Sequence, residues 1–124
     1  MTTDVMEMRN LLIEVLKEHV GALKINHEAD DKFEVSGTVE TMQGKKKVDG
    51  IYFSTVIPKS KDVRFYFFPV YTHKDQLGEL PENLKKCLKG KSCFHIKKMD
   101  DELLKSIKAL VAKSIEVYKK DGLL

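Results

Sequence analysis

The sequence predicts an α+β domain in which N- and C-terminal helices pack on one face of a twisted antiparallel sheet. Three observations carry that prediction. Apolar residues recur at three- and four-residue steps near both ends of the chain, the period of a helix with one buried face. Between them lie segments that alternate apolar and polar residues in steps of two, the period of a half-buried strand. Short breaks rich in Gly, Pro, Lys and Asp separate those segments, so the connections read as hairpins. An order of helix, several strands, helix, strand, helix segregates the helices from the sheet, as α+β domains do.

Each element has its own signal. Asp4 and Glu7 stand at capping-box spacing, and Met8, Leu11, Leu12, Val15, Leu16 and Val20 form an apolar stripe behind them, giving a helix over about residues 4–19 with Gly21 as its stop. Leu23, Ile25 and His27 alternate as a short strand, followed by a loop at residues 28–31. Phe33, Val35, Gly37 and Val39 alternate with Glu34, Ser36, Thr38 and Glu40, a strand near an edge with one polar face. A turn at residues 42–45 leads to a strand over residues 48–57, closed by Pro58. After a hairpin loop at residues 59–62, residues 63–71 are apolar or aromatic in both phases, which places that strand centrally, with Pro69 marking a bulge or break. Leu77 falls in a possible single turn. Pro81 then opens a helix whose stripe is Leu80, Leu84, Cys87 and Leu88, ended by Gly90. Residues 92–97 form a short strand with Phe94 and Ile96 on one face and Cys93, His95 and Lys97 on the other. Asp100 caps the closing helix, whose buried face is Leu103, Ile107, Leu110, Val111, Ser114 and Tyr118, and Gly122 marks its end.

A chain of 124 residues without repeats, linkers or low-complexity tracts reads as a single domain with its own core, residues 1–124. Its 42% apolar and 33% charged residues are those of a folded globular protein. No apolar run is long enough for a bilayer, and the first residues carry acids rather than a basic stretch and an apolar run, so the expected location is cytoplasmic with no membrane partner. Two cysteines do not make a disulfide framework. The net charge of +3 is a mild basic excess, and Arg9 and Arg64 are the only arginines. Arginine is the preferred residue for bidentate recognition of phosphates and bases, so the composition argues against a dedicated nucleic-acid reader.

The densest chemistry lies in residues 84–98, which hold both cysteines, His95 and six lysines, with no acid between Glu82 and Asp100. Lys85, Lys86 and Lys89 are expected on the polar side of the helix, and Lys91, Lys97 and Lys98 beside the strand, so that they converge into one basic patch bordered by Tyr71. Gly90, Lys91 and Ser92 look like the tail of a phosphate-binding P-loop, but Lys85 stands where its first glycine belongs, and no helix follows. The spacing of Cys87, Cys93 and His95 matches no common zinc site. The surrounding lysines are expected to lower the pKa of Cys93 if it reacts at all. Carboxylates for a hard cation or ferrous iron are dense only at Glu28, Asp30 and Asp31, with His27 beside them, and at Asp100, Asp101 and Glu102.

Phe68, Pro69, Val70 and Tyr71, then the run from Leu84 through Gly90, Lys91, Ser92, Cys93 and Phe94, resemble the YdhG-like family of small bacterial domains of unknown function. The resemblance covers most of the chain, from the opening helix to the closing helix with its Tyr118 and Gly122. It implies a compact α+β domain. Some members are described as frataxin-like iron chaperones, which bind iron through an acidic ridge on the first helix and early sheet edge. Here that helix offers Asp4, Glu7, Glu14 and Glu18, interspersed with Arg9 and Lys17.

The sequence reading is therefore a small non-enzymatic binding domain without a resident cofactor. Its ligand is an anionic small molecule or an acidic protein partner, met by Tyr71, Lys85, Lys89, Gly90, Lys91, Ser92, His95 and Lys97. The alternative is a frataxin-like protein that binds or delivers iron.

Overall fold

The computed structural model describes residues 1–124 as an α+β domain. Helix α1 (Val5–Lys17) starts at Asp4, whose carboxylate accepts the Glu7 N–H at 2.9 Å. Its buried face is Met8, Leu12, Ile13, Val15 and Leu16. Strands β1 (Leu23–Ala29) and β2 (Lys32–Gly37) follow, joined by Asp30 and Asp31. β3 (Thr41–Gln43) and β4 (Lys46–Val48) pair only with each other. Then come β5 (Tyr52–Pro58), β6 (Val63–Phe67), helical turns α2 (Pro69–Thr72), α3 (Lys74–Leu77) and α4 (Glu82–Lys85), strands β7 (Leu88–Lys89) and β8 (Cys93–Ile96), and helix α5 (Asp101–Lys120).

Six strands form one antiparallel sheet in the order β1-β2-β5-β6-β8-β7. Its register explains the core. Phe33, Val56, Phe65 and Phe94 are direct cross-strand partners in succession across β2, β5, β6 and β8, and all four are fully buried. Period-two alternation puts the next row, Glu34, Thr55, Tyr66 and Cys93, on the opposite face. Helices α1 and α5 contact each other, and Tyr118 of α5 meets Phe53 edge-to-face at 5.8 Å between ring centres. The buried apolar residues make one cluster of 26. At roughly 1.5–3 kcal/mol for each large apolar side chain buried, this cluster is the dominant favourable contribution to folding.

The strand expected from Phe33 through Glu40 stops at Gly37, and Met42 and Gln43 of the expected turn belong to β3, so only Gly44 and Lys45 turn. The structure departs from the sequence expectations in three further places. The strand expected over residues 48–57 is two: Val48 ends β4 and β5 starts at Tyr52. The reason is a close crossing at Gly50, where a Cβ would stand 1.8 Å from the Gly37 carbonyl oxygen. The strand expected over residues 63–71 stops at Phe67, because Pro69 takes the first position of α2 and not a bulge in the sheet. Tyr71 consequently leaves the sheet and is 53% exposed. The helix expected to run to Gly90 is the single turn α4, with Pro81 as its N-cap. The chain is extended again at Leu88 and Lys89, which pair with Phe94 and Cys93. Gly90, at φ 76°, therefore turns a hairpin and caps no helix. A glycine with positive φ serves either purpose, so the same residue type ends a helix or turns a hairpin.

Candidate functional site

The β7–β8 hairpin separates residues that a helix would have grouped. Along β7, Leu88 is partnered with the buried Phe94 and Lys89 with Cys93, so the two side chains point to opposite faces. The single basic patch expected from the sequence is accordingly two surfaces. Tyr71, Lys85, Gly90 and Lys91 line a groove of about 790 Å³ between the hairpin and the turns α2 and α3. Lys89, His95 and Lys97, joined by Lys86 and Lys98, line a separate cleft of about 530 Å³ that reaches the start of α5. Ser92 belongs to neither. It sits in the turn, and its carbonyl accepts the Phe67 N–H at 2.7 Å.

The cleft is the more basic of the two. Lys86, Lys89, Lys97 and Lys98 take part in none of the six ion pairs. Its two carboxylates are Glu82 and Asp100, and Asp100 is engaged in accepting the Leu103 N–H at 2.8 Å as the α5 cap. Asn83 also lines the cleft, with its Oδ1 buried and unpartnered. In the groove, by contrast, Lys85 is bonded to Glu79. That pairing lifts the lysine above its ordinary pKa and holds the Glu79 carboxyl below the usual carboxylate range. Lys91 Nζ lies 5.6 Å from the centre of the Tyr71 ring, a cation–π contact.

The cysteines are not activated. Burial pushes the Cys93 thiol up, outweighing Tyr66 and Arg64, which favour the thiolate; burial likewise raises Cys87. The expectation that nearby lysines would lower Cys93 is thus reversed, because its near charge is Arg64 and desolvation wins. Cys87 donates a weak hydrogen bond to the Asn83 carbonyl at 3.4 Å. Gly90, Lys91 and Ser92 join two strands, so their amides do not form the strand-to-helix cradle of a P-loop. No three His, Cys, Asp or Glu side chains are grouped so as to hold a metal ion. Of the expected oxygen ligands, Glu28 is paired with Lys17 at 2.7 Å and Asp100 with the helix N-terminus.

Sequence reasoning missed Asn83 in the cleft and Val70, Leu77 and Leu80 in the groove. It also missed a polar chain at the end of α5. Tyr118 OH meets Thr72 Oγ1 at 2.6 Å, Thr72 Oγ1 meets His73 Nδ1 at 2.8 Å, and His73 Nε2 meets Asp121 Oδ2 at 2.6 Å. A tyrosine on a buried helix face signals that a partner for its hydroxyl is needed, but the partner lies 46 residues away in sequence. No family profile, curated protein or solved structure matches the chain. No helix is long and apolar enough to cross a membrane.

Proposed function

We propose that this domain is a cytoplasmic, non-enzymatic binding module of the YdhG-like kind that takes a small phosphate-class anion in the cleft beside β8. The observation that carries the reading is the set of four lysines, Lys86, Lys89, Lys97 and Lys98, facing one cleft with no carboxylate partner. Against them stand only Glu82 and Asp100, so the lysines and carboxylates of the cleft leave an excess of two positive charges. A dianion matches that excess. The volume of about 530 Å³ lies in the range of small-molecule sites, roughly 300–1,000 Å³, and favours a small anion over an acidic protein surface.

The mechanism is electrostatic. Lysine ammonium groups are compact, well-hydrated donors that meet a phosphate as point charges. In this exposed setting each contact is worth about 1 kcal/mol or less, so binding is weak, additive over several lysines and sensitive to salt. The YdhG-like assignment is supported by the two sequence runs that carry the resemblance and by the α+β order of elements.

The test is calorimetric titration with inorganic pyrophosphate at low ionic strength. The double variant Lys89→Glu/Lys97→Glu should bind about tenfold or more weakly, the scale of two lost surface charge pairs turned repulsive. Both side chains are exposed, so the fold should be retained. Equal affinity in the two proteins would remove the reading.

A further inference from the structure

The groove on the other side of the hairpin has a different chemistry. Val70 and Leu77, each nearly buried, form its floor with the partly buried Leu80 and Leu88. Tyr71 stands at its edge with half of its surface exposed. A recess lined by four aliphatic side chains and an aromatic ring offers an apolar body a place to leave water. Gly90 of the hairpin turn also lines the groove, and nothing lies within 4 Å of where its Cβ would be.

The rim sets the charge of what binds. Lys85 and Glu79 neutralise each other there. Lys74 and Lys91 have no carboxylate partner, and Asp75 is the one remaining acid. One net positive charge is left, half the excess of the cleft. The contact of Lys91 Nζ with the Tyr71 ring holds that charge beside the groove.

We propose that this groove is a second binding site, for a monoanionic amphipathic molecule: an aliphatic or aromatic body against Val70, Leu77, Leu80 and Leu88, and a carboxylate toward Lys91 and Lys74. It differs from the phosphate-class cleft in ligand and in residues, and it stands whether or not the cleft binds phosphate.

Sodium octanoate, acetate and 1-octanol separate the contributions, read by backbone amide shifts. Octanoate should move the amides of Leu77, Leu80, Leu88 and Lys91 in a saturable way. Acetate, which has the charge without the body, should move none of them at equal concentration. Octanol, which has the body without the charge, should bind about fivefold more weakly than octanoate, the scale of one partly exposed charge contact. Lys91→Glu should weaken octanoate by about that factor or more and leave octanol unchanged, which also reports that the groove is still folded. Leu80→Gln should weaken both. Absent shifts, equal affinities for octanoate and octanol, or an octanoate affinity indifferent to Lys91→Glu would overturn the proposal. So would shifts of the same amides on simple dilution, because a second copy of the chain would then be the occupant.

Discussion

At the scale of single residues, two tyrosine hydroxyls, one on α5 and one on β5, make stability depend on alkaline pH. Tyr118 is fully buried against Phe53 and bonded to Thr72, and burial pushes its pKa from 10.0 up to about 12. Tyr52, bonded to Thr55, is likewise raised by burial to about 12. A raised folded-state pKa means that the folded protein holds these protons more tightly than the unfolded chain. Their contribution is complete below pH 10 and is lost as pH climbs from 10 through 12. Urea denaturation across that interval should show stability falling steadily. Tyr118→Phe should show a shallower fall, together with a loss at neutral pH of about 1 kcal/mol for the Thr72 hydrogen bond. Equal slopes in the two proteins would contradict the assignment. The position of Tyr118 on the buried face of α5 was legible from helical spacing. Its bond to Thr72 was not, because nothing local joins residues of α2 and α5 that only the tertiary fold brings together.

At the scale of elements, what was legible follows from how local the signal is. The capping carboxylates Asp4 and Asp100 were readable because the cap and its recipient N–H are three residues apart. The buried face of α5 was readable because its period holds over 20 residues. The segment from Phe68 to Phe94 was not, because its signals are short and serve more than one element. Pro69 both ends β6 and opens α2, and Gly90 turns a hairpin where a helix end was expected. The cost was functional. Placing Lys89 on a helix grouped it with Lys85, whereas on β7 it lies beside Cys93 and belongs to the cleft. Asp100 itself gives a test at this scale. Asp100→Ala should cost about 1 kcal/mol in chemical denaturation, the usual worth of an N-cap. It should also strengthen pyrophosphate binding, because one of the two acids of the cleft is removed. A variant as stable as the parent, or one that binds the anion less well, would contradict the two roles given to this carboxylate.

At the scale of the whole molecule, the sheet divides labour between its faces. One face is filled by a cross-strand row of large apolar side chains under the long helices, and its residues are committed to the core. The other face and the strand end at β7–β8 are free to carry charge. A net charge of only +3 spread over the surface would attract little, but the ion pairs leave their unpaired lysines unevenly distributed, and four of them meet at one cleft. The fold class and most helical and strand positions followed from periodicity. The division of the lysines into two sites did not, since it depends on which face of a two-residue strand each side chain takes. The measurement that bears most directly on this account is the map of backbone amide shifts on adding inorganic pyrophosphate at low salt. Saturable shifts centred on Lys86, Lys89, His95, Lys97 and Lys98 that fade as ionic strength rises are the expected result. Shifts centred elsewhere, or none at millimolar pyrophosphate, would contradict it.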